Sequence, residues 1–168
     1  MSCLVGCAAL GGIPRSLSWG DLNGDGILEL VCVLGAPGEP FGRRVAVFFH
    51  DRPPWMGLEG LGPWKVAVGD VDGDGLQELV VGVWKKTRLD PVHDKRLFVF
   101  GWSQDGPFPR WLGSRLSRPL VDFELSSSKQ GHVDLVAVER DRQGQLTART
   151  YAWNGFGFTA IDETPERR

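Results

Sequence analysis

The stretch DVDGDGLQE at residues 70–78 and the stretch DLNGDGILE at residues 21–29 decide the fold. In each stretch, side chains that carry oxygen stand at positions one, three, five and nine, and glycine stands at position six. Hard divalent cations take six to eight oxygen ligands from a chain that bends sharply around them. The spacing therefore suits a bound cation, which would also relieve the repulsion among the clustered acids.

The two stretches occupy the same place in a longer repeat. Pro14 and Asp21 correspond to Pro63 and Asp70, so that each pair is separated by 49 residues (63 − 14 and 70 − 21). A third, weaker copy begins near Pro119. Self-similarity at this period indicates a fold built from repeated structural units.

Each copy contains runs of residues that are typical of short β-strands. An alternating apolar run precedes the acidic stretch, a nearly continuous apolar run follows it, a third run comes later, and a fourth is clearest at 157–161. Repeats of about 40–50 residues with three or four strands are typical of propeller blades. The sequence therefore predicts an all-β partial β-propeller of three blades, each of about 50 residues with three to four antiparallel strands, at about 14–62, 63–118 and 119–161.

Composition excludes several classes of protein. Hydrophobic residues make up 42% of the 168 residues, which is enough for a packed core and too many for a disordered chain. The net charge of −2 comes without a basic stripe, so the sequence predicts no nucleic-acid binding. No apolar run reaches the roughly 20 residues of a membrane-spanning helix.

The pattern D-x-N/D-x-D-G-x-x-E-L, followed by an apolar strand, resembles the FG-GAP repeat. This repeat forms the calcium-binding blade of integrin-α-like β-propellers and of the related VCBS group of bacterial secreted proteins. The resemblance is strong in copies one and two and weak in copy three. It implies two structural Ca²⁺ sites, whose ligands by position are Asp21, Asn23, Asp25, the Ile27 carbonyl and Glu29, and Asp70, Asp72, Asp74, the Leu76 carbonyl and Glu78.

Other kinds of loop also carry this spacing of Asp, Asn and Gly, and some of them do not match the rest of the sequence. EF-hand and dockerin loops need an acid at position twelve, where this chain has Cys32 and Val81. An ordinary tight turn remains an alternative, because Asp, Asn and Gly are the usual turn residues. The second loop is predicted to bind the cation more tightly, because Asp72 stands where the first loop has Asn23. The third copy is predicted to be a metal-free blade, with Ser126, Ser128 and Gln130 at the loop positions and only Asp134 acidic.

The sequence contains no recognised catalytic motif. We therefore expect a non-catalytic, calcium-stabilised binding or scaffolding module, located outside the cytoplasm, with a protein or glycan ligand. The alternatives are a catalytic or accessory domain of a polysaccharide-active enzyme and a cell-surface adhesion module. Three blades leave open ends, so the chain is either part of a longer propeller or self-associates to complete a ring.

The sequence also allows predictions for the two ends of the chain and for six of the tryptophans. Residues 1–13 include LVGCAA, which is similar to a truncated lipoprotein signal with Cys7 as the lipidated residue, although a chance match is the alternative. Residues 162–168 are predicted to form a polar tail. Strand-end tryptophans are predicted to pack between blades, and three others to lie in loops; the first set is Trp84, Trp102 and Trp153, and the second is Trp55, Trp64 and Trp111.

Overall fold

A computed structural model describes residues 10–113, 115–128 and 131–161. Within these ranges the chain forms twelve strands in three four-stranded antiparallel sheets, which confirms the predicted all-β partial propeller of three blades. The strands are β1 Ile13–Gly20, β2 Glu29–Gly35, β3 Arg44–Phe48, β4 Trp55–Gly57, β5 Pro63–Gly69, β6 Glu78–Lys85, β7 Asp94–Ser103, β8 Gly106–Leu112, β9 Leu120–Ser127, β10 Val133–Arg140, β11 Leu146–Trp153 and β12 Phe158–Ala160.

Each sheet is a simple meander, so that blade one is β1–β4, blade two is β5–β8 and blade three is β9–β12. Cys7 and most of the proposed signal remnant lie outside the described residues, as does the polar tail. None of the described residues belongs to a helix that is long and apolar enough to cross a membrane.

The core lies between the sheets because the second strand of each of the first two blades is apolar on both faces. Every residue of β2 is buried, and so are the first six residues of β6. One face of each strand packs toward its neighbouring blade. The cluster between blades one and two includes Val31, Val33, Leu79, Val81 and Phe98, and the cluster between blades two and three includes Val80, Val99, Phe123, Leu135 and Tyr151.

Each of the first two blades approaches the next blade closely at the end of its first strand. A Cβ atom on Gly20 would overlap the side chain of Val68, and a Cβ on Gly69 would lie 2.9 Å from Val133 Cγ2 of blade three. Only glycine leaves space for the next blade at these positions. The glycine before each acidic loop is therefore required by blade packing.

Serine side chains connect the first strands of blades one and two. Ser16 Oγ accepts a hydrogen bond from Val66 N, and Ser18 Oγ accepts one from Val68 N, each at 3.1 Å. These bonds satisfy backbone donors on the edge of β5 that faces β1. They fix the position of blade one along blade two.

The three tryptophans predicted to lie in loops are instead in strands, so that prediction is wrong. Trp55 begins β4, Trp64 lies in β5 and Trp111 lies in β8. The neighbouring prolines suggested loops, but proline is tolerated at strand starts, edges and bulges, and β5 has an irregularity between Pro63 and Lys65. Each tryptophan packs edge-on against another aromatic ring, in the pairs Trp55–Trp102, Trp64–Phe123 and Trp111–Phe158.

Candidate metal-binding loops

The two acidic stretches form the turns that join the first and second strands of blades one and two. Gly20 pairs with Glu29 where the first turn closes, and Gly69 pairs with Glu78 at the equivalent place. The glycines at position six, Gly26 and Gly75, have φ values of 84° and 88°. Residues with a side chain rarely adopt this conformation, which explains the glycine in the pattern.

The first aspartate of each loop shapes the turn by accepting backbone hydrogen bonds. Asp21 Oδ1 accepts from Gly24 N at 2.8 Å, and Asp21 Oδ2 accepts from Gly26 N at 2.8 Å. Asp70 makes the equivalent bonds to Gly73 N and Gly75 N at 2.7 Å and 3.1 Å. This part of the pattern is explained by turn chemistry alone.

The glutamate at position nine is the part of the pattern that turn chemistry does not require. Glu29 and Glu78 are each 1% exposed, although they begin strands next to a polar loop. Both carboxylates turn back toward their own loops: Glu29 Oε2 accepts from Leu22 N at 2.8 Å, and Glu78 Oε2 accepts from Val71 N at 3.0 Å. Among the described residues, two buried side-chain oxygens have no hydrogen-bond partner, Glu29 Oε1 in the first loop and Glu139 Oε2 in blade three.

In the first loop the remaining oxygen side chains are partly engaged with one another. Asn23 Nδ2 donates to Asp25 Oδ2 at 3.0 Å, and Asp25 Oδ1 accepts from Ile27 N at 2.7 Å. The bond from Ile27 N holds the pKa of Asp25 below its usual value. Burial raises the pKa of Glu29, and the negative charges of Asp25 and Asp21 raise it further.

In the second loop three acids converge and an arginine reaches them from another strand. Asp70, Asp72 and Glu78 each place one carboxylate oxygen within 4.8 Å of the others, and no other such group of three acids occurs in the described ranges. Arg110, from the outer strand β8, places Nη1 2.7 Å from Asp72 Oδ2 and Nη2 2.7 Å from Asp74 Oδ2. Its Nη2 atom is also 3.6 Å from Glu78 Oε1.

Electrostatics in the second loop follow from this arrangement. Burial raises the pKa of Glu78 to about 7, and the negative charges of Asp72 and Asp74 add to this effect while Arg110 opposes it. The N–H of Leu76 and then the Arg110 guanidinium hold the pKa of Asp74 below its usual value. Arg110 thus supplies the positive charge that the carboxylates need when no cation is bound.

Both loops offer the oxygen ligands that Ca²⁺ prefers, but they differ in fit. In the first loop, the unpartnered Glu29 Oε1 leaves a buried acceptor for a cation, beside Asp21 and Asp25. In the second loop, a cation must displace the Arg110 guanidinium from the carboxylates. The extra charge of Asp72 is therefore already neutralised, which removes the physical reason for tighter binding there.

The third blade has a different connection at this place. Strand β9 extends to Ser127, and a short turn closed by Ser128 N donating to His132 O leads into β10. Asp134 is already inside β10, where it pairs with Ser126. Gly131 keeps the positive φ, 91°, of the other loops. Gln130 lies outside the described residues, and the metal-free state of this blade stays a prediction.

Sequence reasoning located the position-nine glutamates and missed Arg110. The carbonyl groups of Ile27 and Leu76 stay predicted ligands, while the N–H groups of both residues donate to an aspartate of their own loop. Arg110 is 32 residues from Glu78 (110 − 78) and has no counterpart in the repeat pattern. The only sequence signal was an arginine in a strand otherwise built of apolar residues and prolines.

Comparison with known families gives one result. The family model described as FG-GAP repeat matches residues 62–83. The first half of the second blade is therefore similar to an FG-GAP repeat. The match covers β5, the second acidic loop and most of β6, which is where the sequence pattern is strongest. No curated protein is significantly similar to the chain. The matched residues form two neighbouring antiparallel strands of one sheet, β5 and β6, and the acidic loop that joins them.

The raised pKa of Glu78 predicts that metal-free protein loses stability as pH rises. Folded Glu78 titrates at about 7, whereas the reference carboxyl titrates at 4.5, so the folded state holds a proton that the unfolded state releases. The free energy of unfolding should therefore fall between about pH 4.5 and pH 7 and level off above this range. Urea denaturation in EDTA at several pH values measures the profile.

The variant Glu78→Gln provides the control for this profile. The amide keeps the shape of the side chain but does not titrate, so the decline across this range should become shallower. A wild-type profile that is flat between about pH 5 and pH 7 would contradict the prediction.

Proposed function

We propose that this chain is a non-catalytic, calcium-stabilised β-propeller-type binding module that acts outside the cytoplasm. The observation that carries the metal assignment is the buried, unpartnered Glu29 Oε1 in a loop of oxygen side chains. Buried acceptors without a partner are rare, and of the two among the described residues only Glu29 Oε1 belongs to an acidic loop, whereas Glu139 Oε2 lies in a strand of blade three. A Ca²⁺ ion there would engage this oxygen and offset the repulsion between Glu29 and the loop aspartates.

The loops stand at the junctions between blades, which gives the ion a structural role. Asp21 N donates to Gln77 Oε1 of the second loop at 2.9 Å. Asp70 O accepts from Val133 N of blade three at 2.9 Å. An ion that fixes each loop would therefore also fix the contact with the next blade. We assign Ca²⁺ to the first loop directly and to the second loop after Arg110 has moved away.

We expect Ca²⁺ to raise the melting temperature and EDTA to reverse the effect. An ion present at tenfold excess over its Kd adds about 1.4 kcal/mol to the free energy of unfolding. For a chain of this size that corresponds to a rise of roughly 3–6 °C in the melting temperature. Differential scanning calorimetry in EDTA, in Ca²⁺ and in Mg²⁺ measures the change, with Mg²⁺ expected to be weaker because it demands near-ideal octahedral geometry.

Two matched substitutions test whether the rise in melting temperature comes from Ca²⁺ bound at the first loop. Glu29→Gln keeps the size of the side chain and removes the charge at the unpartnered oxygen, so it should reduce the response to Ca²⁺. Glu59→Gln makes the same chemical change at an exposed loop position and should leave the response unchanged. A melting temperature that ignores both Ca²⁺ and EDTA would rule out the structural ion.

The similarity to FG-GAP repeats supports both a location outside the cytoplasm and a role in binding. FG-GAP repeats are typical of extracellular proteins, and residues 62–83 match one. A rigid stack of sheets with exposed loops suits ligand binding, since loops on a fixed scaffold often carry recognition residues. Self-association to complete a ring, a polysaccharide-active enzyme and an adhesion module stay predictions from sequence.

A further inference from the structure

A basic cavity lies at the end of blade three that is opposite the β9–β10 turn. Its volume is about 480 Å³, and it lies between the segment that precedes β9 and the turn from β10 to β11. Among the described residues, four arginines line it, on a chain whose net charge is −2; they are Arg115, Arg118, Arg140 and Arg142. Such a local excess of positive charge attracts anions.

Most of this charge has no acidic partner among the described residues. Within the ranges that the structure describes, Arg118, Arg140 and Arg142 form no ion pair with an acidic side chain. The acid in the lining, Asp141, uses its Oδ1 atom to accept the amides of its own turn, from Gln143 and Gln145 at 2.9 Å and 2.8 Å.

The fourth arginine has only a shared partner. Arg115 Nη2 lies 3.0 Å from Asp90 Oδ2, and that same oxygen is 3.0 Å from Arg96 Nη2. One carboxylate therefore serves two guanidinium groups. The Arg115 side chain is 59% exposed, so part of its charge also remains available to a ligand.

A buried network holds the arginine-bearing segment in place. Glu139 Oε1 accepts hydrogen bonds from Arg118 N at 2.9 Å and from the Tyr151 hydroxyl at 2.8 Å. The Tyr151 oxygen in turn accepts from Ser117 N at 3.2 Å. Arg140 N donates to Pro119 O at 2.9 Å, which ties the segment to β10. The cavity is thus formed before a ligand binds, which lowers the cost of binding.

A second groove continues from the basic cavity and adds an aromatic surface. It has a volume of about 290 Å³ and shares Pro119 and Arg140 with the first cavity. Trp84, Asp94 and Lys95 also line it. Trp84 is 37% exposed, and one face of its ring stacks on Phe41 with the ring centroids 4.9 Å apart. A tryptophan face packs against the C–H groups of a sugar ring, while guanidinium groups bind sulfate and carboxylate with paired hydrogen bonds.

We propose that this continuous groove binds an acidic polysaccharide, with a sulfate or carboxylate group held by Arg118, Arg140 and Arg142 and a sugar ring beside Trp84. The proposal rests on the proposed function as a binding module, and it requires no ion in the acidic loops. The class of ligand follows from two features of the groove, which are guanidinium groups with no acidic partner among the described residues and the partly exposed ring of Trp84.

Calorimetric titration of the full chain with a heparin hexasaccharide tests the proposal. The triple variant R118A/R140A/R142A should weaken binding by at least about 30-fold, because it removes three charge-assisted contacts. The triple variant R43A/R52A/R88A removes the same charge from exposed arginines outside the groove and should change binding by less than about threefold. Trp84→Ala should weaken binding by about fivefold.

Several results would overturn the proposal. They are no binding of the hexasaccharide, equal loss in the two triple variants, binding of an uncharged hexasaccharide as tight as that of the heparin hexasaccharide, or tighter binding of anionic vesicles or phosphopeptides. Each titration is run in Ca²⁺ and in EDTA, together with the melting temperature. A melting temperature that does not respond to Ca²⁺, together with intact hexasaccharide binding, would count against the metal sites alone. A normal response to Ca²⁺ without hexasaccharide binding would count against the groove alone.

Discussion

Replacing Phe123 with alanine is expected to lower the free energy of unfolding by about 3–5 kcal/mol. Phe123 is 1% exposed and belongs to the cluster between blades two and three. Its ring packs edge-on against Trp64, with the ring centroids 5.5 Å apart and an angle of 79° between the planes. Deleting the ring leaves a cavity at the contact between two blades, where the backbone strands limit relaxation. Urea denaturation followed by tryptophan fluorescence measures the change.

Phe156→Ala is the matched control for this substitution. Phe156 is 92% exposed in the turn between β11 and β12, so its removal should change the free energy of unfolding by no more than about 0.5 kcal/mol. Similar losses in the two variants would mean that blade three does not pack on blade two through Phe123. The comparison therefore tests the contact between blades as well as the size of the effect.

Replacing Arg110 with alanine is expected to destabilise the metal-free protein by about 2–3 kcal/mol. Removing one partner from a buried ion pair costs about 3–5 kcal/mol, and the 29% exposure of the Arg110 side chain lowers this figure. The loss arises because Asp72, Asp74 and the buried Glu78 are left without a positive charge. In saturating Ca²⁺ the loss should shrink to less than about 1 kcal/mol, since the ion takes the place of the guanidinium.

Two further measurements make the Arg110 prediction specific. The same denaturation experiment on Arg88→Ala, an exposed arginine in another loop, should show no dependence on Ca²⁺. Isothermal titration of Arg110→Ala should show tighter Ca²⁺ binding at the second loop than in the wild type. If Arg110→Ala is equally destabilised in EDTA and in Ca²⁺, then the guanidinium and the ion do not compete for these carboxylates.

The repeat pattern predicted those parts of the fold that depend on neighbouring residues in the chain. The number of strands in each blade, the loop between the first two strands, and the burial of β2 and β6 follow from alternation and from continuous apolar runs. The glycine at position six follows from the backbone conformation of the turn. These features are local, so a single sequence contains the information for them.

Features that depend on contacts between distant residues could not be predicted in this way. The ion pairs of Arg110 join β8 to a loop 36 residues earlier. The groove near Pro119 depends on how the segment before β9 packs beside the turn after β10. Trp64 and Trp111 looked like loop residues because prolines are their neighbours, whereas tertiary packing places both in strands.

The serine bonds between β1 and β5 have a consequence for how the molecule behaves at high concentration. An unpaired strand edge invites another molecule to extend the sheet, which is a common route to aggregation. In blade two the outward-facing N–H groups of Val66 and Val68 already donate hydrogen bonds to hydroxyl groups of blade one. That edge therefore offers an incoming strand no donors at these two positions, which adds to the protection that Pro63 and Lys65 give the same strand.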